Sequence, residues 1–487
     1  MLLIYISLGI YVLSMLFVLF YSLAQADLLW HFFKFQRRFK APETPTTLPV
    51  VTVQLPIFNE KYVVERLIDA VAKLSYPADK LEIQVLDDST DETQEIILRH
   101  LSKYPDVNFK YLHRKDRKGF KAGALREALD KAKGEFIAIF DADFVPDPNF
   151  LLQTMGHFRD PQVGMVQSRW THLNENYSLL TRLQAFALDA HFMVEQTGRN
   201  AQQAFINFNG TGGIWRKTCI YDAGNWEEDT LTEDLDLSYR AQKKGWKFVY
   251  RPDIASPAEL PPVMSAIKSQ QFRWTKGGAE CAVKHLNKVL SSPLPLKTKF
   301  HALAHLLNST LFIAVFLSSL SSIPIWWAFE TGRLPENLFQ LAVVFKLGFV
   351  IIAMVYFFAN LSLVNYSWKG VLRYLWELPM FLSVSLGLGL HNAQAVWEGL
   401  TGKKSPFIRT PKYNLSSRTD RSWVKNAYNP LRIPVTTYLE AVLSVIFLAM
   451  VVLEIQSDSY AMLPFHFMLA FGYALVSISS FRSYRAA

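Results

Sequence analysis

The sequence predicts an α/β domain set among membrane-spanning helices, and three observations lead there. Half of the 487 residues are hydrophobic and only 19% are charged, with a mean hydropathy of +0.11, which is too apolar for an ordinary soluble protein. The apolar residues gather in long runs at the two ends of the chain. Between them, from about residue 45 to 297, short β-branched runs alternate with helical patterns, the signature of an α/β fold.

Residues 2–24 carry no charge and are long enough to cross roughly 30 Å of hydrocarbon as the first helix. The alternative, a signal peptide cut near Ala24-Gln25-Ala26, lacks a basic n-region and has too long an apolar run. Lys34, Arg37, Arg38 and Lys40 follow, placing the amino terminus outside and the next stretch in the cytoplasm. Strands are expected at 50–57, 81–86, 108–113, 135–140 and 164–168, with a helix carrying Val64, Leu67, Ile68, Val71 and Leu74 between the first two. About 250 residues bury one full core, so no second soluble domain is needed.

After residue 300 apolar runs return at 302–328, 338–363, 375–397, 437–455 and 460–481. The 375–397 run contains Glu377, His391, Asn392 and Gln394, with basic loops on both sides, Lys369 and Arg373 before it and Lys403 to Lys412 after it. Crossing the bilayer would put one of those loops outside against the charge rule. It reads as an interfacial or re-entrant helix, giving five spans and a cytoplasmic carboxyl terminus; six spans is the alternative. Lys346 either lines a channel or snorkels to the interface. Cys219 and Cys281, the only cysteines, exclude a disulfide framework and a Cys-based zinc site. The net charge of +9 sits in clusters flanking apolar segments, which points to a lipid bilayer and away from nucleic acid.

Four constellations can carry chemistry. In Phe140-Asp141-Ala142-Asp143-Phe144 a strand-like run ends in two carboxylates, which suits holding Mg²⁺ or Mn²⁺ against a diphosphate at the edge of an open sheet. By itself it also reads as a solvated turn. Val85-Leu86-Asp87-Asp88-Ser89 again puts carboxylates after a strand, placed to accept from ribose or a base. One of the two is expected to cap the helix starting near Glu92. Thr232-Glu233-Asp234-Leu235-Asp236 offers general-base candidates for a sugar hydroxyl, or equally a helix start with Thr232 as cap and acids in the first turn. Gln270-Gln271-Phe272-Arg273-Trp274 pairs a diphosphate-gripping Arg with a sugar-stacking Trp, or anchors an interface.

Order and context are more specific than any member. The set resembles the family 2 glycosyltransferases of the cellulose synthase and hyaluronan synthase group. The likeness extends through Gln84–Asp91, Gly119–Leu125, Ile139–Phe144, Phe208–Gly213 and Gly245–Phe248, over roughly residues 50 to 280, and is strongest to the cellulose-synthase-like A and C branches, which make mannan or glucan backbones. It implies an α/β GT-A domain with a Rossmann-like mixed sheet and an inverting transfer from a nucleotide sugar. Carried over by motif, Asp87 binds the nucleoside, Asp141 and Asp143 the diphosphate and metal, and Asp234, with Glu233 beside it, is the base. Gln270 and Arg273 hold the diphosphate, and Trp274 floors an acceptor site that includes Asn209 and Gly210. Pro56, Glu60 and Lys121 resemble positions near the nucleotide sugar. Phe407-Ile-Arg-Thr-Pro-Lys412 resembles the gating-loop motif Phe-x-Val-Thr-x-Lys, with Phe407, Thr410 and Lys412 matching and Arg409 replacing Val.

The implied organisation is a first membrane helix at 1–27, a cytoplasmic catalytic domain at 28–298, two membrane helices at 299–364, the re-entrant helix and gating-like loop at 365–436, and two membrane helices at 437–487. The end at Ala487 leaves no room for an appended cyclic-dinucleotide domain. The resemblance favours UDP-glucose as donor, with GDP-mannose next, and a processive synthase extruding a β-linked glycan, in a bacterial inner membrane. The competing readings are single-sugar transfer to a lipid, as in ceramide glucosyltransferases, and a non-catalytic membrane subunit. Oligomeric state is not legible.

Overall fold

The computed structural model describes residues 1–38, 42–335, 338–405, 408–415, 420, 428 and 432–485. Its centre is a seven-stranded mixed sheet of β1 (Val51–Ile57), β2 (Leu81–Asp87), β3 (Phe109–His113), β4 (Phe136–Ile139), β5 (Val163–His172), β6 (Gly213–Arg216) and β7 (Lys247–Ala258), in the order β3-β2-β1-β4-β6-β5-β7. β1, β2, β3 and β4 run parallel, and β6 is antiparallel to both β4 and β5. The five expected strands are all present. β1 and β2 are buried along nearly their whole length because helices cover both faces.

Side chains alternate between two cores. Val51, Val53 and Leu55 pack with Leu67, Ile68 and Ile97 on one face; Ile137 and Ile139 pack with Leu125 and Leu129 of the Phe120–Lys131 helix on the other. The polar interruptions of the central strands meet each other and pin the register. Thr52 Oγ1 donates to Glu82 Oε2 at 2.6 Å, and Gln54 Nε2 to Gln84 Oε1 at 3.0 Å, each between residues that face each other in the β1–β2 pairing, with Val53 and Ile83 between them.

β6 and β7 were not expected from sequence. β6 is four residues long, too short to display a period. β7 contains Pro252 and Pro257, which argue against a strand interior; the β5–β7 register shift after Ser168 and Arg251 accommodates the first of them.

The first helix runs Leu2–Arg38, well beyond the apolar run, because its second half is buried as well. Leu29 and Phe32 pack on Ala190, Met193 and Val194 of the α/β domain and on Val355 and Ala359 of a later helix. Among the described residues, five helices are long and apolar enough to cross a membrane: Leu2–Gln36, Asn308–Glu330, Lys346–Leu363, Val435–Gln456 and Leu463–Tyr484. Trp368–Gly387 and Gly389–Leu400 form a pair bent by 52°. Both ends of that pair touch the α/β domain and its following helix. At one end Arg373 and Arg182 both hold Glu377, and Arg373 also reaches Glu175. At the other, His391 Nε2 lies 2.9 Å from Lys268 O, and Gly399 packs on the backbone at Lys276. Lys346 is exposed.

Candidate active site

The carboxyl ends of β1, β2 and β4 open into one cleft with about 1320 Å³ of unfilled space, where an open α/β sheet binds ligands. Pro56, Glu60, Lys121, Asp141, Asp143, Asn209, Gly210, Glu233, Asp234, Gln270, Arg273, Trp274, Thr410 and Lys412 all line it. Residues as far apart in the sequence as Pro56 and Lys412 therefore meet.

Asp141 follows β4. Its backbone N–H donates to Thr211 Oγ1 at 2.9 Å, and its Oδ1 accepts from Lys121 Nζ at 2.5 Å; Lys121 also donates to Gly210 O at 2.8 Å. Asp143 Oδ2 accepts from Lys412 Nζ at 2.7 Å and from Glu259 N–H at 3.2 Å. The pair fits a hard divalent cation: both donors are carboxylates facing the cleft, and each already balances a cationic group.

Asp234 stands in the first turn of the Glu233–Lys243 helix. Burial, with Glu233 adjacent, pushes its carboxyl up to about 7; burial raises Glu233 too. Gly210 approaches so closely, at φ +79°, that a Cβ there would lie 3.1 Å from Asp234 Oδ2. The capping alternative fails at Thr232, which occupies the N-cap position without a capping hydrogen bond. Asp236 is removed from candidacy. Fully buried, it is held by His285 at 2.7 Å, Arg240 at 2.8 Å and Lys284 at 2.8 Å, which ties its helix to the Met264–Leu290 helix. Glu227 and Asp229 share Lys284 at 2.6 and 2.7 Å, so this acidic group is closed by an ammonium.

That Met264–Leu290 helix brings Gln270, Arg273 and Trp274 to the cleft. Arg273 Nη2 donates to Thr410 Oγ1 at 2.7 Å, and Trp274 faces Trp170 with ring centroids 6.5 Å apart.

Three expectations differ from the geometry of the structure. Asp87 does not face the cleft: it is fully buried, with Oδ2 accepting from Tyr111 Oη at 2.7 Å and Oδ1 from Ser89 N–H at 2.9 Å. Asp88 lines the cleft instead, held bidentately by Arg114 at 2.7 and 2.6 Å. Neither caps the following helix, since the carboxylate accepting from Thr93 N–H is that of Asp91, at 3.0 Å. Asn209 turns its side-chain oxygen inward to Gln196 Nε2, at 2.8 Å. Phe407 lies outside the described residues.

Sequence reasoning missed Glu259 and the role of Arg409. Glu259 is 4% exposed; Oε1 accepts from Tyr413 N–H at 2.7 Å and Oε2 from Asn414 N–H at 2.9 Å, so it holds the loop's backbone. Arg409 pairs with Glu60 at 2.6 Å, yet burial still pushes the Glu60 carboxyl up to about 7. The departure from Val is thus matched by a buried acid; the motif comparison carried half of that signal.

Residues 49–277 match the family described as "Glycosyltransferase like family 2". "Probable glucomannan 4-beta-mannosyltransferase 7" of Oryza sativa subsp. japonica is 46% identical over 263 residues, 52% of this chain and 45% of the relative. "Glucomannan 4-beta-mannosyltransferase 1" of Cyamopsis tetragonoloba is 42% identical over 261 residues, 52% of this chain and 50% of the relative. The chain spans about half the length of the curated relatives it matches. These are plant proteins and lend no support to the expected bacterial inner membrane. Among solved structures, a mannosyltransferase from Pyrobaculum calidifontis in complex with GDP-Man and Mn²⁺ superposes with a TM-score of 0.56 at 19% identity, covering 82% of this chain and all of that one; it establishes the GT-A type of sheet. Residues 49–277 of this chain are a family 2 glycosyltransferase domain of GT-A fold, joined to helices apolar enough to span a membrane.

Proposed function

We propose that the chain transfers mannose from GDP-mannose to the end of a growing β-linked glycan, with inversion at the anomeric carbon. The observation that carries the reading is the convergence of Asp234, the Asp141–Asp143 pair and the Gln270–Trp274 segment on one cleft. GDP-mannose moves ahead of UDP-glucose as donor because the relatives matching the catalytic region at 42 to 46% identity are named as mannosyltransferases.

In the reaction an acceptor hydroxyl attacks the anomeric carbon, its proton passes to Asp234, and the bond to the diphosphate breaks. A carboxyl raised toward neutrality is a competent base, since it is both ionisable and basic at working pH. Lys121, Arg273 and Lys412 supply fixed positive charge where the diphosphate leaves. Asp141 and Asp143 would hold Mn²⁺ or Mg²⁺, which neutralises diphosphate charge. Loop residues 409–414 reach Glu60, Arg273, Asp143 and Glu259, a closure that excludes water from the donor.

The same reading includes five spans, with the bent pair re-entrant, because both of its ends engage the α/β domain and the helix that follows it. Product extrusion through those helices belongs to the proposal.

The test incubates detergent-solubilised chain with GDP-mannose or UDP-glucose and Mn²⁺ or Mg²⁺, and measures the size and β-mannanase sensitivity of the product. A long, mannanase-sensitive product from GDP-mannose alone is expected, and a lipid-sized product or exclusive use of UDP-glucose refutes the reading. Asp234→Asn should cut transfer by about 10²- to 10⁴-fold while GDP-mannose binding persists; unchanged turnover removes Asp234 as base.

A further inference from the structure

We propose that His172 is an acceptor-binding residue, its imidazole hydrogen-bonding a hydroxyl of the glycan end that receives the new sugar. The inference rests on the glycosyl-transfer reading above and adds a specificity group to it.

His172 is the last residue of β5, and its side chain lines the cleft while being only 5% exposed. Its ring Nε2 is buried without a hydrogen-bond partner among the described residues. The nearest acceptor, Asp189 Oδ1, is 3.5 Å away, beyond a good bond. A buried, unpaired ring nitrogen is costly, and on a residue that lines a binding cleft it is where a ligand hydroxyl, reaching in beside the ring, completes the bonding. A sugar hydroxyl both donates and accepts, so it can satisfy the imidazole and reach toward Asp189.

The surroundings match a sugar. Trp170 lies two residues earlier on the same face of β5, and its ring meets Trp274 at 52° across 6.5 Å between centroids. Phe192 backs Trp170 at 5.3 Å, and Leu188 completes the wall. Aromatic faces stack on the C–H faces of pyranoses and leave orientation to polar groups at the rim; His172 occupies that position. Trp274 adjoins Arg273, so the wall begins where the diphosphate-binding residues end.

The test uses the full chain in detergent with GDP-mannose and β-1,4-mannohexaose as acceptor. His172→Phe keeps a ring but removes both nitrogens, His172→Gln keeps a donor and an acceptor, and Asp189→Asn removes the charge behind the ring. H172F should raise the KM for mannohexaose roughly tenfold, with the KM for GDP-mannose within about twofold, and H172Q should recover most of the loss. D189N should raise the acceptor KM by a smaller factor. An acceptor KM unmoved in H172F and D189N overturns the proposal, as does a parallel rise in both KM values or a glutamine no better than phenylalanine. If the wild-type chain makes no transfer from GDP-mannose, the functional reading itself falls and this inference with it, an outcome visible before any variant is made.

Discussion

Replacing Glu259 by Gln should unseat the loop at 409–414 without unfolding the sheet. In the carboxylate, Oε1 accepts from Tyr413 N–H at 2.7 Å and Asn414 N–H at 3.1 Å, while Oε2 accepts from Asn414 N–H at 2.9 Å and Arg66 Nη2 at 3.3 Å. Glutamine turns one of those oxygens into a donor and makes the other neutral. Hydrogen bonds to charged groups contribute about 1.5–3 kcal/mol and neutral ones about 0.5–1.5 kcal/mol, so weakening two backbone bonds loses about 3 kcal/mol. Since about 1.4 kcal/mol is tenfold, the open population rises roughly 100-fold. Hydrogen exchange at the Tyr413 and Asn414 amides, read by mass spectrometry at pH 8 on the full chain in detergent, should accelerate by that factor, because local opening governs exchange. The β1 and β4 amides should not change. Exchange at 413–414 within threefold of wild type, or equal acceleration in β1, would refute the reasoning.

The pH dependence of kcat/KM should carry an acid limb near 7, falling about tenfold per pH unit below it, because Asp234 must be ionised to accept a proton. A limb near the ordinary carboxylate value of about 4 would remove it as base. The sign for stability is opposite: the folded state binds this proton more tightly than the unfolded chain does, so Asp234 removes stability as pH rises from about 4 to 7. Acid loss of activity through this group is therefore not unfolding, and a thermal midpoint that holds or rises as pH falls across the limb would check it. In the membrane part, Gly472→Ala should lower the thermal midpoint, because a Cβ there would fall 1.9 Å from the Ser383 carbonyl oxygen on the neighbouring helix. Overpacking of this kind costs about 1–3 kcal/mol. Gly9→Ala, with nothing within 4 Å, should raise stability slightly through helix propensity, and equal midpoints for the two variants would contradict the close helix contact.

What was legible in the sequence follows physical locality. β1 through β5 announce themselves because each carries a run of β-branched, aliphatic or aromatic residues, and the motif carboxylates of β2 and β4 lie where those runs stop. β6 is only four residues long, and the Phe248-Val249-Tyr250 run that opens β7 is followed by Pro252 and Pro257. The choice between Asp87 and Asp88 turns on which way the chain leaves β2, and that is fixed by Tyr111 and His113 on the neighbouring strand, 24 and 26 residues away. Glu259 is invisible for the same reason: its partners are backbone amides more than 150 residues later, and backbone amides have no sequence signature. Asp234 could be separated from Asp236 only by knowing that Lys284 and His285, on another helix, take the second.

The cleft is assembled from three parts of the chain that meet the membrane differently, and this constrains how a glycan end could be held. Asp141, Asp143 and Asp234 belong to the α/β domain, Gln270 to Trp274 to the helix beneath it, and Thr410 and Lys412 to a loop between apolar helices. The middle part is tied to the membrane by Lys268, two residues before Gln270, whose Nζ lies 2.5 Å from Glu440 Oε2 and 3.2 Å from Thr437 Oγ1 on the Val435–Gln456 helix. Both charged partners are buried, and a buried pair whose partner is removed leaves a costly lone charge, so the helix bearing Trp274 cannot slide over the bilayer-facing helices without breaking it. Among the described residues, the loop's anchors in the α/β domain include the carboxylates of Glu60, Asp143 and Glu259 and the Arg66 guanidinium, which donates to Asn414 Oδ1 at 2.6 Å. Of these, Asp143 would exchange Lys412 for a metal and diphosphate as donor arrives. In the transfer reading, the acceptor wall therefore stays fixed to the membrane helices through a cycle, while the lid over the donor is held by contacts that donor binding itself rearranges.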